Sequence, residues 1–288
     1  VTGFRWVITG AAGMVGSDLR NELLARGEEV VALSRQELDV TDSRNLRAAM
    51  AEHRPSVIVN CAAYTKVDQA EQEESAANTI NGSAVELLAE AANEADALLV
   101  HISTDFAFDG SKRTPYEVTD PTGPVSAYGR SKLLGELAAA HARKQVIVRT
   151  SWLFGVHGPN FVEAIRNQIR KGTNPLRVVS DQRGRPTYTP HLANAILRLV
   201  HAATNDADAR GMYHYADEGE CSWFDFAKAI VEESGASTEM LPVTTDEFPR
   251  PARRPAYSVL STERYERVTG VRPESWREGL REYLRLRA

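Results

Sequence analysis

Tyr128-Gly129-Arg130-Ser131-Lys132 sets a phenol and an ammonium four residues apart, a spacing that brings both to one face of an α-helix. A free tyrosine titrates near ~10, too weakly acidic for efficient proton transfer at neutral pH. A cation beside it favours the phenolate, so the expectation is a lowered tyrosine pKa. A drop of ~3 units needs roughly 4 kcal/mol of preferential anion stabilisation, which the lysine and a second cation such as a nicotinamide ring would share. The chemistry on offer is proton delivery. The same pattern also occurs on ordinary exposed helix faces, so its weight depends on the rest of the chain.

Gly10-Ala11-Ala12-Gly13-Met14-Val15-Gly16 lies well upstream. Its glycines permit a tight turn and close backbone approach, and a helix amino terminus after it would face a pyrophosphate. The spacing is Gly-x-x-Gly-x-x-Gly, and the flanking context is strand before, amphipathic helix after. The end of the second strand reads Leu33-Ser34-Arg35, with no acid to take a ribose hydroxyl. A hydroxyl followed by a guanidinium suits a 2′-phosphate, which favours NADPH and leaves NADH open. Asp39 and Val40 lie where they would approach an adenine; Asp39 would equally serve as a helix cap.

The elements that must position these residues alternate short apolar runs with helical patterns, the pattern of a parallel sheet covered on both faces. Strands are expected at Arg5–Thr9, Glu29–Leu33, Ser56–Asn60, Ala97–Ser103 and Gln145–Arg149. Helices are expected from about Val15 to Arg26, from Thr41 or Asp42 to about His53, across Asp68–Ala95 with an interruption near Gly82, and from Ser126 to about His141. After Trp152 the rhythm changes, and Pro and Arg cluster in Asp181–Pro190 and Phe248–Pro255. A late strand (Gly211–Ala216), a helix capped by Ser222 with Asp225 in a capping box, and a last helix at Trp276–Leu286 follow. The fold class is α/β: a Rossmann-type doubly wound parallel sheet with a smaller α/β carboxy-terminal substrate lobe. Residues 1–151, with about 188–217, would form the nucleotide domain, and about 152–187 with 218–288 the substrate lobe.

Composition narrows the function classes. The 288 residues are 42% hydrophobic and 25% charged, ordinary for a soluble globular protein. A net charge of −5 argues against binding nucleic acid through a basic surface. No apolar run reaches the ~20 residues needed to cross a bilayer. No leader pattern precedes the first strand, and Cys61 and Cys221 are too far apart in sequence to suggest a disulfide framework or zinc site. The expectation is a cytoplasmic protein with no metal, since no His or carboxylate set has tight ligand spacing.

Taken together, the glycine loop and Tyr-x-x-x-Lys resemble the extended short-chain dehydrogenase/reductase superfamily. More specific blocks resemble the dTDP-4-dehydrorhamnose reductase family: Asn60-Cys61-Ala62-Ala63-Tyr64-Thr65-Lys66-Val67-Asp68, Ser103-Thr104-Asp105-Phe106-Ala107-Phe108-Asp109-Gly110, Arg149-Thr150-Ser151-Trp152, Asp181-Gln182 with Gly184, Pro186 and Thr187, and Arg254-Pro255 with Ser258 and Leu260. They span about residues 5 to 262. The resemblance implies reduction of the C4 ketone of dTDP-4-dehydro-L-rhamnose by NADPH. In that reading Thr104 hydrogen-bonds the ketone oxygen, Tyr128 donates the proton, and Lys132 holds the nicotinamide ribose. Ala62, Ala63 and Tyr64 line the cofactor, while Asp105 and Trp152 contact the sugar.

The residues alone agree in part. Thr104 ends an apolar strand, where ligands of open α/β sheets bind. Two hydroxyls converging on a carbonyl oxygen would stabilise the charge that develops there. Thr104 would otherwise satisfy backbone groups, Asp105 local amides, and Trp152 a core or interlobe packing role. The segment Arg250-Pro251-Ala252-Arg253-Arg254-Pro255 is either a solvated loop or a diphosphate clamp, with Arg254 the candidate because guanidinium binds phosphate bidentately. Gln182, Arg185 and Thr187 would border the same cleft. Phe106 and Ala107 depart from the family's Tyr-Val pair, removing a hydroxyl and some volume beside the expected sugar. Another dTDP-6-deoxy-4-ketosugar is therefore an alternative substrate. A non-catalytic NADP-binding regulatory subunit is a third reading, opposed by the intact Thr104, Tyr128 and Lys132. A homodimer is compatible with all three.

Overall fold

Residues 3–287 are described by the computed structural model. The chain opens with β1 (Arg5–Thr9), α1 (Met14–Ala25), β2 (Glu29–Leu33), α2 (Ser43–His53) and β3 (Val57–Asn60). Then come α3 (Val67–Ala70), α4 (Glu74–Asn78), a π-helical turn at Thr79–Ser83, α5 (Ala84–Glu94), β4 (Leu98–Thr104), α6 (Ala127–Ala139) and β5 (Gln145–Thr150). Local chemistry explains the boundaries. Gly27 ends α1 at φ +74°, where a side chain would strain the backbone. Asp42, rather than Thr41, caps α2 by accepting from the amides of Arg44 and Asn45. Ser126 caps α6 through the Gly129 amide. The interruption expected near Gly82 is the π turn. A Cβ on Gly82 would lie 3.0 Å from Leu134 Cβ, so the glycine lets α6 lie close.

The second half supplies β6 (Leu153–Phe154), α7 (Phe161–Arg170), β7 (Leu176–Val179), β8 (Arg183–Gly184), β9 (Thr187–Tyr188), α8 (Thr189–Asn205) and β10 (Gly211–His214). It closes with β11 (Cys221–Ser222), α9 (Trp223–Glu233), β12 (Met240–Val243), α10 (Glu263–Thr269) and α11 (Trp276–Leu286). The expected capping box is present: Ser222 and Asp225 satisfy each other's backbone amides at the start of α9.

Six strands make one sheet in the order β10-β5-β4-β3-β1-β2, and every neighbouring pair is parallel. Buried Trp6, Ile8, Leu19, Val59, Val100 and Val148 pack one face with α8, while Val7, Ile58, Leu88 and Leu99 pack the other. A third core, built on Phe154, Tyr188, Phe226, Trp276, Leu280 and Tyr283, holds the three small two-stranded sheets and α9 and α11 together. Tyr265 of α10 returns to the large sheet, edge-on to Tyr215 at 4.9 Å. The strand order reverses between β1 and β3, so the carboxyl ends of these two strands open the crevice in which such sheets bind ligands. Among the described residues, no helix is long and apolar enough to cross a membrane, and no cluster of three His, Cys, Asp or Glu is placed to hold a metal ion. Both cysteines are free thiols.

Candidate active site

Gly10 sits at the switch point with φ +64°, and a Cβ there would fall 2.6 Å from the Ala62 amide nitrogen. The loop and the segment after β3 can approach this closely only with glycine at that position. A Cβ on Gly16 would meet Ala11 Cα at 2.8 Å, which keeps α1 tight against the loop. Gly13 forms the N-cap of α1 with no side-chain cap, and Met14 and Val15 open the helix. Backbone amides at this terminus therefore keep their donors for an anion. This cradle fits a dinucleotide pyrophosphate.

Asn60 ties the crevice together. Its Oδ1 accepts from Thr9 Oγ1 at 2.8 Å and from the Ala62 amide at 3.1 Å, and its Nδ2 meets His101 Nδ1 at 3.2 Å. From the π turn, Asn81 holds both backbone groups of Tyr64 and donates to Ser131 Oγ at 2.9 Å. These two buried asparagines fix Ala62, Ala63 and Tyr64 against β1 and α6. Nothing in the local pattern marked Asn81; Asn60 stood at the head of a family block without an assigned role.

At the end of β2, Ser34 and Arg35 lie where the ribose end of a dinucleotide would extend, with Arg35 exposed. An unforeseen acid joins them: Glu37 folds back so that its Oε2 accepts the Ser34 amide at 2.8 Å. The Ser-x-x-Glu spacing is the available signal for it. Asp39 does not cap α2; its carboxylate is held in a local turn by the Thr41 amide and hydroxyl. Val40 is buried in the core beneath that turn.

Thr104 ends β4, and its hydroxyl donates to Asp105 Oδ1 at 3.1 Å. It also faces the phenol of Tyr128. Asp105 is 2% exposed, and its Oδ2 is buried without a hydrogen-bond partner. Burial pushes this carboxyl up to about 6, against the pull of the nearby Ser258 and Thr104 hydroxyls. The folded state therefore holds this proton to higher pH than the unfolded chain, so stability falls as pH rises from about 4 to about 6. Asp105→Asn is expected to raise stability by about 3 kcal/mol at pH 8 and by far less at pH 4. Thermal melts of both proteins at the two pH values check this; an equal gain at both would show that the buried charge is not the cause.

The expected lowering of the Tyr128 pKa is not what the fold produces. Burial pushes the phenol up to about 12 and the Asp105 carboxylate adds to the rise, with only the Thr104 hydroxyl opposing. Lys132 does share the helix face, but its ammonium donates to the Ile102 carbonyl at 2.6 Å. Burial brings Lys132 itself down to about 8, while Glu136 and Cys61 favour its charge. The i, i+4 spacing gave the face correctly; the tertiary partners of the two groups set the direction of the shift.

Trp152 adopts the left-handed region at φ +47°, a strained backbone for a non-glycine residue. Its indole stacks on Trp223 with ring centroids 3.6 Å apart and planes at 9°. A Cβ on Gly184 would come within 2.5 Å of Trp152 Cε2, which accounts for the glycine in that block. Phe106 packs edge-on to Tyr128 at 5.6 Å. Ala107, by contrast, is fully buried, so the volume lost there lies inside the protein rather than on the cleft surface.

Beyond Trp223 opens a cavity of about 610 Å³ lined by Phe161, Gln182, Trp223 and the Phe248–Arg254 segment. Gln182 borders it as expected. Arg185 does not, because its guanidinium is held by the carbonyls of Asp217 and Leu260, and Thr187 is fully buried. Arg254 reaches the cavity wall, but its guanidinium is paired with both oxygens of Asp68 at 3.0 and 3.1 Å. A larger depression of about 810 Å³ lies near Phe4, Trp6 and Arg267, at the amino ends of the strands and away from the crevice.

A parallel sheet with a glycine cradle at its switch point, and Thr104, Tyr128 and Lys132 gathered beside it, defines a dinucleotide-dependent reductase of the extended short-chain type. The RmlD substrate binding domain family matches residues 4–287. A dTDP-4-dehydrorhamnose reductase of Streptomyces griseus is 42% identical over 96% of this chain and 92% of its own length. A probable dTDP-4,6-dihydroxy-2-methyloxan-3-one 4-ketoreductase of Streptomyces antibioticus is 44% identical over 96% and 94%. The crystal structure of dTDP-4-dehydrorhamnose reductase from Bacillus anthracis in complex with NADP superposes with a TM-score of 0.93 at 37% identity, covering 99% of this chain and 100% of that one. The chain belongs to the dTDP-4-dehydrorhamnose reductase family.

Proposed function

We propose that this protein uses NADPH to reduce the C4 ketone of dTDP-4-dehydro-L-rhamnose, giving dTDP-L-rhamnose. The observation that carries the reading is the meeting of the Thr104 and Tyr128 hydroxyls beside Asp105, whose Oδ2 is buried and unpartnered. A ketone oxygen fits between the two hydroxyls and a sugar hydroxyl fits the free carboxylate oxygen. Gly10, Gly13, Met14, Val15 and Gly16 hold the cofactor's pyrophosphate. Ser34 and Arg35 take the adenosine ribose with its phosphate, Asp39 and Val40 support the adenine side, and Ala62, Ala63 and Tyr64 line the opposite wall. Bound there, the cofactor supplies the hydride that reduces the C4 carbon.

The protein's own part is positioning and proton delivery. Tyr128, held up to about 12, keeps its proton at neutral pH until the developing alkoxide takes it. The Thr104 hydroxyl stabilises the same oxygen. Lys132, charged below about pH 8, shares the helix face of Tyr128 and would hold the nicotinamide ribose of a bound cofactor, supporting that transfer. Trp152, fixed on Trp223, gives the sugar an aromatic wall. Residues 1–151 with about 188–217 carry the cofactor, and about 152–187 with 218–288 carry the sugar nucleotide. The free cysteines suit a reducing cytoplasm.

Phe106 supports a second reading, in which the substrate is another dTDP-6-deoxy-4-ketosugar, because this departure from the family pattern packs directly on the proton donor. A panel of dTDP-4-keto-6-deoxysugars with NADPH separates the two. The expected result is the highest kcat/KM on dTDP-4-dehydro-L-rhamnose; turnover confined to a different sugar would replace the first reading with the second.

A further inference from the structure

The cavity beside Trp223 is ringed by arginines, but they are not equivalent. Arg254 Nη1 and Nη2 face Asp68 Oδ1 and Oδ2 at 3.0 and 3.1 Å. Nη1 also donates to the Ala252 carbonyl at 2.9 Å, while the Ala252 amide donates to Asp68 Oδ1 at 3.2 Å. One carboxylate on α3 thus holds both ends of a three-residue turn that is 184 residues away in sequence. The pair has no net charge to offer an anion. Arg177, Arg250 and Arg253 line the same cavity, and none of them is among the ion pairs of the described residues. Arg250 lies over the Phe248 ring at 4.9 Å, and the nearby acid that feels its charge is Asp68, whose two oxygens are already paired with Arg254. Against these three guanidinium groups the lining carries one carboxylate, Asp246. A concave surface with this surplus attracts and holds a polyanion.

The segment bearing these arginines is braced elsewhere as well. Pro249, Pro251 and Pro255 restrict its backbone. A Cβ on Gly110 would lie 2.7 Å from Pro255 Cα, so the chain after the arginines rests directly on the loop that follows Asp105. Small displacements of this segment would therefore move the arginines relative to Thr104 and Tyr128.

We infer that Asp68 and Arg254 form a latch between α3 and the arginine segment, and that Arg250 and Arg253 take the diphosphate of a nucleoside diphosphate sugar. Asp68 is then a positioning residue, acting through the segment it anchors. The inference rests on the nucleotide-sugar reading above, and assigns Arg254 to the latch instead of to the phosphate.

The test is a calorimetric titration of dTDP into the NADPH-loaded protein at low and high salt. Asp68→Ala and Arg254→Ala should each weaken dTDP binding about tenfold, with the double variant no weaker than either, as expected for one shared interaction. Arg250→Ala combined with Arg253→Ala should weaken it more than about tenfold and flatten its salt dependence. NADPH affinity should stay near that of the wild type in every variant. Undiminished dTDP binding in Asp68→Ala alongside a large loss in Arg254→Ala would overturn the latch and make Arg254 the phosphate ligand. Additive losses would overturn it too. Asp68→Asn and Arg254→Lys repeat the comparison if an alanine variant does not fold. A wild type that binds NADPH but not dTDP would sink the nucleotide-sugar reading itself, whereas wild-type turnover with unchanged dTDP affinity in all variants would remove both the latch and the arginine site for the diphosphate while leaving that reading in place.

Discussion

Tyr128→Phe is expected to lower kcat by about 10²- to 10⁴-fold while leaving NADPH affinity within about twofold, the range for loss of a positioned general acid. Phenylalanine keeps the ring that packs edge-on to Phe106, so the helix and its neighbours stay in place. Only the hydroxyl facing Thr104 is removed. Because that phenol is held up to about 12, it is protonated throughout the neutral range and does not limit the rate by its own ionisation. The alkaline fall in wild-type activity should instead follow Lys132, which loses its charge above about pH 8. Single-turnover assays with the dTDP ketosugar, and NADPH fluorescence titrations beside them, measure the two quantities separately. Retention of more than about a tenth of wild-type kcat would remove Tyr128 from proton delivery.

The second large effect concerns stability. Arg149 and Glu136 are each 4% exposed and meet at 2.6 Å, with a second contact from Arg149 Nε at 2.8 Å. Ser103 Oγ donates to the same carboxylate at 2.5 Å, and the Arg149 guanidinium lies 4.9 Å from the Phe108 ring centroid. This network joins β4, β5 and α6 one turn beyond Lys132. Arg149→Met strands the Glu136 charge in the interior and is expected to cost about 3–5 kcal/mol. That is a large share of the roughly 5–15 kcal/mol that keeps a typical domain folded. Glu136→Met should cost a similar amount, yet the double variant should recover most of the loss, since neither charge is then left alone. Urea unfolding of the four proteins gives the coupling energy directly. Additive losses would mean that the pair acts as two independent groups.

Both effects trace to α6, and much of α6 was readable in advance. The Ser126 cap and the Tyr-Lys face follow from helix geometry, which repeats every few residues and leaves a mark in the sequence. So do the glycine loop, the Ser222-Asp225 capping box and the parallel strands with their apolar runs. The family blocks also drew attention to Thr104 and Asp105, at the end of β4, and to Trp152, just past the end of the neighbouring β5. Less legible were Glu37, Asn81 and Trp223. Glu37 acts by folding back on Ser34, Asn81 by reaching α6 from a π turn, and Trp223 by stacking on a residue 71 positions away. Each needs one particular approach of two segments, and no periodic pattern records it.

The same division explains two of the expectations that changed. The sequence alone determined that Tyr128 and Lys132 share a face, because backbone sterics fix the helical repeat. It could not determine the sign of the Tyr128 shift, because burial and the Asp105 carboxylate are properties of packing. It marked Arg254 as a guanidinium suited to phosphate, because that is the chemistry of the group. Only the tertiary structure set Asp68 against it, and so left Arg250 and Arg253 facing the cavity. Local geometry is written residue by residue along the chain, whereas the partner of a charge is decided by what the folded chain brings within about 3 Å of it.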